Sequence, residues 1–275
     1  MILADTIQES FIISAANLIV DFALLFVTVL SVGCAFFAYF RQKNRGKKDA
    51  ACRLAKYYAD DILEQYSFIA SVYRKAGLDV KIRNAIDFND LHYFDRTELE
   101  CILEKKKINY DDFIKEIHEI DPVIILQCKS LRTVTERQSA VAELSDRFEK
   151  TNSLDEKDER FLRALLDQSI VDFLNNLEWF CMNCQYRLAD EEILYQSLQK
   201  TFFSATWLLS PIICHANVNN ADKLYTNVIW LFIVWRKRLK KIVSKERKKQ
   251  KALLKKVEKV HKQMRETIFT GKKLK

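Results

Sequence analysis

Glycine and proline are close to absent, with 4 Gly and 2 Pro in 275 residues, where ordinary chains carry about 7% and 5%. Tight hairpins, βα turns and phosphate-cradling loops rely on glycine for positive φ, so this scarcity argues against β-rich and doubly wound folds. Also missing are the P-loop, the dinucleotide-binding glycine fingerprint and the HExxH zinc-protease signature. The seven cysteines, at positions 34, 52, 101, 128, 181, 184 and 214, form no tight framework. An odd, scattered set reads as free thiols in a reducing compartment. Hydrophobic residues make up 49% of the chain, ample for a real core. The fold class expected from these features is all-α: long helices joined by short polar loops.

Little in the sequence points to a reaction. His92, His118 and His261 are isolated, and no serine or cysteine stands in a catalytic context. Asp60-Asp61 and Asp111-Asp112 are adjacent pairs whose side chains diverge on a helix, so they read as solvated surface acids. No enzyme and no cofactor are expected.

One long uncharged run is present. Phe22–Phe40 holds nineteen residues without a charge, close to the roughly 20 that cross a bilayer as a helix. Arg41, Lys43, Arg45, Lys47 and Lys48 follow it directly, whereas the residues before it carry Asp5, Glu9 and Asp21 and no cation. The positive-inside rule then predicts a single-pass inner-membrane anchor, with the N-terminus outside and the body cytoplasmic. The fourteen uncharged residues Thr201–Cys214, interrupted by Pro211, are too short to span and are expected in the core.

Charge is distributed in opposite senses along the chain. Residues 236–275 carry 18 Lys/Arg against 3 Asp/Glu, a net of +15, whereas residues 49–235 carry 22 against 31, a net of −9. Four parts follow: an anchor with its basic exit (1–48), two helical parts (49–150 and 151–238) divided at the polar Lys150–Glu159 segment, and a polybasic helical tail (239–275). In the tail Leu239, Val243, Leu253, Val257, Val260 and Met264 keep an a/d-like register, which Glu246 and Gln250 interrupt. With Arg236, Lys237, Arg238, Lys240 and Lys241 at its start, the tail suits the anionic head groups of a bilayer. Phosphates of nucleic acid are the competing partner, although interleaved aromatics are missing.

Helix signals along the body are local and explicit. Ala50–Ala76 has apolar residues at three- and four-residue spacing, with Gly77 as its C-cap. Thr97 with Glu100 predicts a capping box, Asp111 a cap for Phe113–Ile117, and Asp121-Pro122 the start of a helix running to about Glu149. A long helix is expected over about 156–187, with Leu162, Leu166, Ile170, Phe173, Leu177, Phe180 and Cys184 on one face. Asp190 should cap the next helix, and Pro211 should kink or restart it.

Metal-ligand spacing occurs once, in Cys181 and Cys184 followed by Cys214 and His215. Taken alone it could be a four-ligand zinc set. Cys181 and Cys184 fall inside the long helix, however, so core cysteines are the plainer expectation.

The run Phe173-Leu174-Asn175-Asn176-Leu177-Glu178, then Asp190-Glu191-Glu192 and Tyr195, then Pro211, Tyr225-Thr226-Asn227, Leu231 and Trp235 resembles a bacterial family of unknown function. Its members pair an N-terminal membrane helix with a cytoplasmic helical domain. The resemblance covers 156–238 and implies that Asn175, Glu178, Asp190, Tyr225, Asn227 and Trp235 are packing and capping residues. By analogy with cargo of mobile elements it also implies a role in phage defence. The expected function is a membrane-tethered interaction or sensor protein with an unidentified protein partner. The rival is a membrane-perturbing antiviral effector.

Overall fold

A computed structural model describes residues 38–39, 41–128, 138–218 and 223–270. The anchor expected at Phe22–Phe40 lies outside the described residues except for Ala38 and Tyr39. Among the described residues every element is a helix, and no helix is long and apolar enough to cross a membrane.

The first helix, α1, covers 41–57, passes through a π-helical turn Tyr58–Ile62 and continues as Leu63–Lys75. Gly77 at φ 74° turns the chain into α2, Leu78–Ala85, a conformation that glycine adopts without Cβ strain. Then come α3 (Arg96–Lys105), α4 (Tyr110–His118), α5 (Pro122–Leu126), α6 (Gln138–Thr151), α7 (Glu156–Gln185), α8 (Glu191–Leu208), α9 (Ser210–Ala216) and α10 (Thr226–Thr270).

Two caps differ from expectation. α3 is capped by Asp95, which accepts from the Glu98 N–H, and not by Thr97; α4 is capped by Asn109, which accepts from the Asp112 N–H, and not by Asp111. In both cases the acceptor nearer the N-terminus has extended backbone and takes the orphan donor first. Asp121 does cap a helix, but that helix ends at Leu126, and Gln138–Thr151 is separate.

α7 is the central post. It packs against α10, α1 and α5, and its seven expected core residues are all buried. Residues on both sides of the 152–154 turn enter one core, from Ala51 to Trp235. Thr201–Cys214 belongs to it as well: Phe202, Ala205, Leu209, Ile213 and Cys214 are completely buried, and Pro211 starts α9 in its first turn.

Candidate functional site

The sequence pattern that resembled a family assembles at the root of α10. Glu178, in the last third of α7, reaches across to the first turn of α10. Its carboxylate accepts from the Asn227 N–H (3.0 Å), the Asn227 side-chain amide (2.6 Å) and the Val228 N–H (2.9 Å). A negative group on exposed helix N–H donors satisfies both hydrogen bonding and the dipole, so Glu178 caps α10 from a distant helix. Tyr225, at φ 58°, makes the sharp turn that precedes the cap. Two turns on, the Trp235 indole N–H donates to Glu191, and Arg238 pairs with Glu191 (2.6 Å) and Glu192 (3.0 Å). Asp190 caps α8 through the Glu192 N–H. Asn175 does not join this set: it is exposed, and Asn176 beside it bonds Gln65 on α1.

The same corner receives the start of α1. The Lys47 carbonyl accepts from the Asp190 N–H at 3.1 Å, and Lys47, Trp230, Val234, Asp190 and Glu191 border one cleft of about 540 Å³. The basic exit and the basic tail therefore leave the body at one end. Arg41, Lys43, Arg45 and Lys48 are exposed there, as are Lys237, Lys240 and Lys241. From Lys237 to Thr270 the tail extends about 50 Å at ~1.5 Å per residue. Ile242, Val243, Leu253, Leu254, Val257 and Val260 are exposed along it.

Two of the expected surface cations are engaged by groups of the body itself and do not project from the surface. Arg238 is held by Glu191 and Glu192. Arg236 is only 6% exposed, and its Nη1 donates to the carbonyls of Phe88 (3.0 Å), Asn89 (3.4 Å) and Leu91. Arg236 follows Phe232 by four residues, so it shares the inward face of α10, and burial pushes its pKa down.

Those carbonyls belong to the 86–95 loop, which is bolted from several sides. Glu98 accepts the backbone N–H groups of His92, Tyr93 and Phe94 at 2.7, 2.9 and 2.8 Å. Fully buried Asn217 donates to the Phe94 carbonyl, and Lys223 donates to the Tyr93 carbonyl at 2.8 Å. Phe94 sits at φ 54°, a costly conformation for a bulky residue, and these bonds hold it there. Between this loop and α10 lies an open cleft of about 600 Å³. Phe88, Leu239 and Val243 form its apolar part, and Lys240, Arg247, Lys248 and Lys251 its basic part.

The zinc spacing does not produce a zinc site. Among the described residues no group of three His, Cys, Asp or Glu side chains could hold a metal ion. Cys181 and Cys184 face the core from α7, where burial pushes the Cys184 thiol up to about 12 and Cys181 well above its ordinary value. Cys214 is buried on α9, and its neighbour His215 points elsewhere, taking a 2.7 Å hydrogen bond with the Tyr110 hydroxyl and lying 5.7 Å from the His118 ring.

Burial first, then the charges of His118 and Arg96, hold His215 below the ordinary imidazole value of 6.5, with Asp111 opposing. The unfolded chain therefore takes up a proton more readily than the folded one. Stability from this group is complete above pH 6.5 and is lost as the pH falls through the folded-state value. Thermal melts should show Tm falling between pH 7 and pH 5, and falling less in H215Q. Equal pH dependence in the two proteins would remove His215 from the account.

Residues 96–235, just over half of the chain, match a family model described as Domain of unknown function (DUF4760). No curated protein and no solved structure matches the chain.

Proposed function

We propose, from the premise that the chain belongs to the DUF4760 family, that it is a bacterial, non-enzymatic, membrane-tethered interaction or sensor protein. Phe22–Phe40 is its anchor in the inner membrane, the helical body lies on the cytoplasmic side, and a protein partner binds the body there. One observation carries this reading: the cations that follow the anchor and the basic tail leave the body at the same corner, where Lys47, Asp190, Glu191 and Arg238 meet. A single anionic surface can therefore receive both, at about 1 kcal/mol per cation close to the head groups.

The rival, a membrane-perturbing antiviral effector, would use Thr201–Cys214 as a second apolar element. Burial of that segment in the core leaves it no free apolar face, which favours the tether.

Fractionation tests the reading. Full-length protein should stay with membranes through an alkaline carbonate wash, and removal of residues 22–40 should release the body or leave it held only by a salt-sensitive contact. A full-length chain washed off by carbonate would overturn the tether.

A further inference from the structure

We infer that the cleft between α10 and the 86–95 loop binds the phosphate head group of an anionic phospholipid. Arg236 forms its inner wall as a buried cation, and its guanidinium bonds only neutral carbonyls of the loop. The nearby Glu98 carboxylate is already committed to three backbone N–H groups. A buried cation with no carboxylate hydrogen-bonded to it is costly; the Glu98 charge offsets part of that cost without a direct bond, and an anion seated in the cleft would offset more.

The outer part of the cleft supplies the rest of an anion site. Lys240, Arg247, Lys248 and Lys251 are exposed, line the cleft along about three turns of α10, and form no ion pair among the described residues. Phe88, Leu239 and Val243 beside them give an apolar strip continuous with exposed Ile242. A phosphodiester attached to acyl chains matches both halves, since the phosphate meets the cations and the first methylenes meet the strip. A nucleic-acid phosphate would leave the strip uncovered, and the exposed tail between Lys237 and His261 offers no aromatic ring for a base to stack on. The position suits a membrane source, because the cleft opens where the tail leaves the body. The inference rests on the tethering reading for that source.

Native mass spectrometry of the full chain in neutral detergent tests it, with dioleoylphosphatidylglycerol and dioleoylphosphatidylcholine as probes. One phosphatidylglycerol should bind about tenfold or more tighter than phosphatidylcholine. The preference should vanish in K240Q/R247Q/K248Q/K251Q and survive in K241Q/K245Q/K255Q/K256Q, which removes the same charge from the tail outside the cleft. All eight side chains are exposed, so both variants should melt with the wild type. Equal loss in the two variants, no preference between the lipids, or displacement by inorganic phosphate or a short single-stranded oligonucleotide at lipid-like concentrations would overturn the inference. Binding is read in detergent, so failure of the tether in carbonate fractionation would be a separate result.

Discussion

W235A is expected to destabilise the body by about 4 kcal/mol, the range found when a large aromatic is removed from a core. Trp235 is completely buried. Its ring meets Phe202 edge-on at 4.9 Å and Tyr195 at 5.4 Å, and its N–H occupies one oxygen of Glu191. Alanine would leave a cavity where α8 and α10 join and would free Glu191, whose other oxygen holds Arg238. The tail would lose its anchorage together with the packing. Urea denaturation should show the midpoint fall steeply in W235A and less in W235F, which keeps one aromatic ring but loses the rest of the indole and its hydrogen bond. A loss below about 1 kcal/mol for W235A would mean that the root of α10 is not packed as described.

E178A should cost about 3 kcal/mol, since hydrogen bonds to a charged group are worth ~1.5–3 kcal/mol each net and are not additive. Removal of the carboxylate strands the Asn227 and Val228 N–H groups at the start of a 45-residue helix. E178Q keeps one acceptor oxygen and should lose about half as much. Hydrogen exchange locates the effect: amides 227–230 should lose protection before those of α7. Uniform loss along α7 and α10 would show that Glu178 contributes packing in general and not a cap.

The contrast between these residues explains what was legible in the sequence. The buried face of α7 was readable because a spacing of three and four residues is a property of one helix, and a helix of this length imposes its own register. The Asp121 and Asp190 caps were readable because a side chain and the donors it satisfies lie within a few residues. Asp95 and Asn109 were displaced by two residues, to Thr97 and Asp111, because several acceptors crowd each helix start. Backbone conformation, which the side chains do not reveal, decides among them.

Tertiary relations were harder. Glu178 caps a helix 49 residues away, and no local rule reaches that far; only the family-like pattern singled the residue out. Asn175 carried the same weight in that pattern and is exposed. Arg236 was hidden inside a basic run, although its four-residue offset from Phe232 was a usable signal for the inward face. The cysteines failed as a zinc set because two were already on the core stripe. The third and the histidine are adjacent on α9, so they diverge around its axis.

The proposed tether holds the helical body at the cytoplasmic face of a membrane through residues 22–40. Cys52 and Cys101 are exposed on that body, and a membrane-impermeant maleimide can report their side directly. Labelling of full-length protein in inverted inner-membrane vesicles, with none in intact spheroplasts, is the predicted result. Labelling of either cysteine from the outside of intact spheroplasts would contradict the account.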